Sequence, residues 1–413
     1  MADERERERL RRPASPGAIT AALSLGGLTA SFMQTIIVPI QAELPDLLDA
    51  PRSDTAWVVT ITLLTAAVAT PIAGRLGDMF GKRRVALLTL AIMTLGCVIS
   101  ATVPGIGGLI VGRGLQGVGM GVLPLGISIM RDTLPEKRLP GGIALMSATM
   151  GIGGAIGLPL SAIIAEHLDW HLLFWIAGLL GAVCFAFILA VVPVSVLRTP
   201  GRFDWLGAIG LAAGVASVLV ALSRGNDWGW TSPATIGLGV GGVLILLVWG
   251  WYELRDRNPL VDLRVAARRP VLLTNLASTL LSFGMFSFNI IVPQFLELPT
   301  ASGIGLGYSL FIASLGMLPF GLMMLILAPV AGRLIGIIGP KAMLVAGGVI
   351  VGVARVSTTA RSTSPAATPA GRASAREFPL LVWPVDAARN VIPRAAGVEA
   401  GSDSAPPVSI ALT

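Results

Sequence analysis

Gly74-Arg75-Leu76-Gly77-Asp78-Met79-Phe80-Gly81-Lys82-Arg83-Arg84-Val85 stands between two long apolar runs. Its glycines permit a tight turn, and one acid beside a basic cluster keeps the segment in water. Such a hinge between two apolar runs reads as a loop joining two membrane helices, held on the cytoplasmic side by Lys82, Arg83 and Arg84. Topology alone asks only for positive charge. It does not ask for Gly74, Asp78 and Gly81 at fixed spacing, so the segment has a second role.

The rest of the chain agrees. Of 413 residues, 54% are hydrophobic and 13% charged, with mean hydropathy +0.79. A water-soluble core of this size would leave much apolar surface facing solvent, so an all-α polytopic membrane protein is the direct reading. The net charge of +7 sits in the loops and is not interleaved with aromatic residues, which argues against nucleic acid as a partner. Cys97 and Cys184 fall inside apolar runs, so neither a disulfide framework nor a metal spacing is indicated. His167 and His171 flank a short loop and read as ordinary polar loop residues. No nucleophile–base constellation and no cofactor motif is seen, so an enzyme has little support. Asp3-Glu4-Arg5-Glu6-Arg7-Glu8-Arg9 mixes both signs and reads as a solvated tail, not a signal peptide.

About 20 apolar residues cross a bilayer. Runs of that kind occur near 17–42, 55–73, 84–103, 107–130, 141–164, 172–194, 206–223, 234–252, 271–295 and 306–331, and an eleventh begins at Lys341. Alternate loops carry the bases: Lys82 to Arg84; Arg131, Lys137 and Arg138; Arg198 and Arg202; and Arg255, Arg257, Arg264, Arg268 and Arg269. The opposite loops carry Glu43, Asp46, Asp49, Asp54, Glu166, Asp169, Asp227 and Glu297, with only Arg52 and Arg224 among them. The first set is therefore cytoplasmic, and so is the N-terminus, in a multi-pass protein of the cell membrane.

An internal repeat is visible. Gly332-Arg333-Leu334, Gly339 and Lys341 echo Gly74-Arg75-Leu76, Gly81 and Arg83 at a constant offset, with Gly336 in the place of Asp78. Paired halves of this kind are common in transporters. The segment around Asp78 resembles the loop signature of the major facilitator superfamily of secondary transporters. The resemblance implies a conformational-switch loop built from Gly74, Arg75, Gly77, Asp78, Gly81, Lys82 and Arg83. In that family the second copy follows the second helix of the C-terminal half, whereas here it follows span ten. Spans seven and eight then form an inserted pair, which resembles the fourteen-helix drug:proton antiporter branch.

Further stretches carry the resemblance. Gly112-Arg113-Gly114-Leu115-Gln116-Gly117-Val118-Gly119 is similar to the family's fourth-helix signature, which implicates Arg113 in proton coupling. A guanidinium in hydrocarbon must be paired or wet, so Arg113 should face the bundle interior; an arginine that only orders the bundle through backbone carbonyls is the other reading. Gly151 to Pro159 resembles the antiporter signature of helix five, with Pro159 displaced by one place and Ser161-Ala162 where the family has two glycines. Gly153, Gly157 and Pro159 are its candidates for an interface between the two halves, or for plain close packing. Span one, by contrast, carries Met33 where the branch has an acid. Glu43, at its outer end, is the nearest alternative titrating group. Polar candidates for a substrate cavity are Gln34, Thr35, Gln116, Asn275 and Asn289.

After Ala354 the apolar pattern gives way to a stretch rich in Ala, Arg, Ser and Pro and without Lys, read as disordered and as a frameshifted tail, with a regulatory tail as the other reading. The expected organisation is a tail at 1–14, a six-helix half at 15–195, an inserted pair at 196–255, an incomplete C-terminal half at 256–354 and a tail at 355–413. The resemblance implies export of small, mostly apolar compounds by alternating access, with protons and the lipid bilayer as partners. A truncated, non-transporting remnant is the alternative.

Overall fold

Lipid offers the backbone no hydrogen-bond partner, so each apolar run has to satisfy its own N–H and C=O groups as a helix. The computed structural model describes residues 15–194, 201–256, 258–300, 306–339 and 341–350. Among them are ten helices long and apolar enough to cross a membrane: α1 Pro16–Gln41, α2 Arg52–Phe80, α3 Lys82–Thr102, α4 Gly105–Thr133, α5 Leu139–His167, α6 His171–Val191, α7 Trp205–Trp228, α8 Pro233–Glu253, α9 Arg269–Glu297 and α10 Leu310–Ile338. Every apolar run from the sequence has its helix. An eleventh helix covers Lys341–Ile350. The expected tails at 1–14 and 355–413 lie outside the described residues.

The helices outrun the apolar windows by a turn or more at several ends. The difference is equally large at the ends of α2 and α10; in α2, Gly74 to Phe80 continue the helix and the break falls on Gly81 alone. What reads as a loop in sequence is mostly the last two turns of a helix, because a helix projecting from lipid keeps its hydrogen bonds while its side chains turn polar. Side chains cap several starts: Ser15 accepts from Ala18 N–H, Asp204 from Gly207 N–H and Ser232 from Thr235 N–H.

The main apolar core lies within α1 to α6, around Leu23, Met33, Leu90, Met93, Leu109, Leu125 and Phe174. Within it α1 packs on α5 and α6, α3 on α4 and α6, and α2 on α4. Helices α7 and α8 form a hairpin that meets this bundle through α2, with Ile72 against Ala208, Leu211 and Leu260. At the opposite end Arg224 pairs with Asp227 at 3.1 Å and Asp54 at 3.8 Å, and stacks over Trp57. From the C-terminal side, α10 lies along α5, whereas only 6% of the apolar window of α9 is buried.

Candidate functional site

Gly81 ends α2 with φ 102°, a backbone shape that favours glycine, and its N–H closes onto Gly77 O at 2.9 Å. A Cβ at Gly77 would come 2.5 Å from Leu125, so α2 and α4 meet where only a hydrogen fits. Across the break, Lys82 Nζ lies 2.7 Å from Asp132 Oδ2 and 3.9 Å from Asp78 Oδ1. The tighter contact ties the start of α3 to the end of α4 and leaves Asp78 largely exposed. Arg83 Nη2 donates to Leu189 O at 2.6 Å and joins α3 to α6. Arg75 reaches the segment ahead of α7, where a Cβ at Gly201 would sit 3.1 Å from its Nη2. Gly74 has open space around it.

The second copy repeats the break. Gly339 ends α10 with φ 82°, and its N–H closes onto Ile335 O at 3.0 Å. Gly332 packs on α5, where its Cβ would lie 2.8 Å from Ala144 Cβ.

Arg113 lies mid-span in α4 and is 2% exposed. Its partners are all neutral oxygens: Nη1 donates to Met33 O at 3.0 Å and Gln116 Oε1 at 2.8 Å, and Nε to Val58 O at 3.4 Å. The Met33 carbonyl is available because the regular helix of α1 stops at Thr35, ahead of the 3-10 turn Pro39–Ala42. Carbonyls in the last turn of a helix lack an intrahelical donor and carry the negative end of its dipole, which suits a cation. Gln116 Nε2 then donates to Ser100 Oγ at 3.2 Å, and Thr62 Oγ1 donates to Arg113 O at 3.2 Å. Close backbone approach makes room for this network: a Cβ at Gly96 would fall 2.5 Å from Gly112 O. Gln116 is fully buried with both ends of its amide engaged. It is part of the arginine network.

The remaining candidates separate. Gly153 and Gly157 face α1, where a Cβ at Gly153 would meet Leu28 O at 2.5 Å and one at Gly157 would overlap the Thr35 hydroxyl. The contact with α10 falls on other residues: Gly151 against Met324, Ala155 against Gly321, and Ala144 against Gly332. Two residues along a helix turn the face by roughly 200°, so Gly153 and Gly157 bind the half together while Gly151 and Ala155 look outward. Pro159 is buried within the helix, and Ser161 Oγ donates to Gly157 O at 2.5 Å. Thr35 spends its hydroxyl on Ser31 O and Phe32 O of its own helix. Gln34 is half-buried, Asn275 is exposed, and the Asn289 side chain lies outside those described.

Glu43 is exposed at the start of the short helix Leu44–Leu48, near enough to Glu297 of α9 for their charges to interact. Glu166 of α5 accepts from Phe311 N–H of α10 at 3.2 Å. At the same end, hydrogen bonds from the His171 backbone N–H and ring hold the Asp169 carboxyl below its ordinary range. No group of three potential metal ligands occurs among the described residues.

Asp132 was missed from the sequence. It directly follows Arg131 in a basic segment that also holds Glu136, and nothing in the residues alone says which of the two acids meets Lys82.

The chain is 25% identical over 334 residues to the uncharacterized MFS-type transporter YhcA of Bacillus subtilis, covering 81% of this chain and 62% of that protein. It is 27% identical over 326 residues to multidrug resistance protein Stp of Mycobacterium tuberculosis, covering 78% of this chain and 59% of that one. The matched region thus spans about three fifths of either relative. A crystal structure of a POT family transporter in complex with a thioalcohol-conjugated peptide superposes with TM-score 0.55 at 15% identity, over 79% of this chain and 70% of that one. The profile of the Major Facilitator Superfamily matches residues 23–368, so the chain belongs to that superfamily.

Proposed function

We propose that this chain acts in a secondary transporter that exports small, mostly apolar compounds by alternating access, driven by proton entry, as in the fourteen-helix antiporter branch. The observation that carries the reading is the pair of matching helix breaks, Gly81 after α2 and Gly339 after α10, with α10 seated on α5 through small residues. Two related halves meeting on a smooth seam can rock about a shared space. The basic loops face the cytoplasm and the acidic loops the outside. Arg113 then supplies a fixed positive charge at the broken end of α1, and Glu43 is the carboxylate that takes protons from outside. The 2.3 kcal/mol released per proton for each 100 mV is of the order a modest drug gradient needs. The relative named for multidrug resistance is in keeping with an apolar substrate.

The test is dye efflux from proteoliposomes under an imposed proton gradient. Efflux that stops with a protonophore and falls in Arg113→Ala supports the reading; gradient-independent leakage contradicts it. One observation favours a second reading, in which these 413 residues alone do not transport: α9 is almost wholly uncovered, with Asn275 and Ser278 exposed on it. No efflux above empty vesicles is its signature.

A further inference from the structure

The inserted pair carries a cluster that none of the above uses. Asp204 precedes α7 and Glu253 ends α8, so the antiparallel hairpin brings them together at the end that bears the basic loops. Asp204 is 8% exposed and Glu253 is 2% exposed. Their carboxylates converge on Gly207: a Cβ there would overlap Asp204 Oδ2 and come 2.6 Å from Glu253 Oε1.

The oxygens of Asp204 differ. Oδ1 accepts from Gly207 N–H at 2.8 Å and from the Tyr252 hydroxyl at 3.1 Å. Oδ2 is buried without a partner, and so are both oxygens of Glu253. The backbone N–H groups of Leu260 and Val261 lean toward Glu253 without completing a hydrogen bond. Neither carboxylate has an ion-pair partner among the described residues. Among the described residues, several neighbouring charges are engaged elsewhere. Asp256 accepts from Tyr252, Arg255 stacks on Trp251, Arg264 donates to Leu254 O, and Arg75 of α2 lies toward Gly201.

Two bare carboxylates set against each other at low dielectric repel strongly, while one proton between them turns the contact into a short, charge-assisted hydrogen bond. We propose that Asp204 and Glu253 form a proton-binding site that holds one shared proton at the end of the inserted pair, outside both halves of the transporter. In the bound form a Glu253 oxygen carries the proton and donates to Asp204 Oδ2, which satisfies two orphaned atoms at once and leaves the pair with one negative charge. Release breaks that O–H bond, passes the proton to water and leaves two carboxylates facing each other, next to the segment that meets Arg75. The site stands or falls independently of whether the chain exports anything.

Infrared spectroscopy of the full chain in lipid nanodiscs tests it, because a protonated carboxyl has a C=O stretch separate from that of a carboxylate. At neutral pH the wild type should show the band. Asp204→Asn and Glu253→Gln should each remove one protonated carboxyl, and the double variant no more than either single one. A band intact in both single variants overturns the proposal, and so does loss of the wild-type band at fixed pH on adding sodium, potassium or calcium, which would make the pair a cation site. Should a substitution at 204 or 253 prevent insertion, Glu297→Gln removes the half-buried Glu297 as an alternative source of the band: a neutral-pH band that persists there and vanishes on alkalinisation supports the site, and its absence overturns it.

Discussion

Helices α5 and α9 are both 29 residues long and both apolar enough to span a membrane, yet half of the apolar window of α5 is buried and only 6% of that of α9. Apolar content brings a helix into lipid but gives it no reason to pack there, since lipid tails are as apolar as leucine. Close packing comes from small residues. Gly153 and Gly157 seat α5 on α1, and Gly151 and Ala155 seat it on α10, whereas the one glycine of α9, Gly284, has open space around it. Hydropathy sets where a segment lies, and the spacing of its glycines sets what it touches.

The largest expected effect breaks that contrast directly. Gly153→Leu drives a side chain into the backbone of α1 and should cost about 3 kcal/mol or more, with loss of monodisperse protein on size exclusion. Gly284→Leu should stay within about 0.5 kcal/mol by the same assay and by thermal melting in detergent. Equal losses would mean that both helices pack alike.

Arg113→Leu comes next. It strips the Met33 and Val58 carbonyls and Gln116 of their shared donor and should destabilise by about 1–3 kcal/mol. Arg113→Lys keeps the charge but lacks the planar fork, so its melting temperature should fall between wild type and Arg113→Leu. A smaller effect is expected at the helix break, where Lys82 meets Asp132 more closely than Asp78. Asp132→Asn should lower stability by up to about 1 kcal/mol and Asp78→Asn by less. The reverse order would restore Asp78 as the structural partner. The smallest effect belongs to Asp169. Hydrogen bonds from His171 hold its carboxyl below the ordinary range, so its contribution is present above that range and is lost as pH falls through the lower folded-state value. Acid melts of wild type and Asp169→Asn should therefore converge at low pH; a gap that widens there would contradict this account.

Much of the fold was legible because its strongest signal, long apolar runs bounded by charge, needs no tertiary information. The ten helices and the matching copies around Gly81 and Gly339 were visible in the residues alone. What escaped depends on which helices become neighbours. Nothing around Met33 says that its carbonyl will receive Arg113, because that depends on where α1 unwinds. Gly153 and Gly157 stood out by their spacing, yet the outward seam uses Gly151 and Ala155, and only the rotation of α5 distinguishes them. Asp204 and Glu253 lie about fifty residues apart and meet only because an antiparallel hairpin returns to its own start.

The central claim is that α5 and α10 form the seam between the two halves, and cross-linking tests it most directly. Ala144→Cys with Gly332→Cys places two thiols where a Cβ on residue 332 would lie 2.8 Å from that of residue 144, while the native Cys97 and Cys184 remain buried. Oxidation in native membranes should link the pair quantitatively, seen as a reducible mobility shift, and should not link the control pair Ala144→Cys with Gly284→Cys. A control pair that links as readily, or an Ala144–Gly332 pair that never does, would contradict the seam.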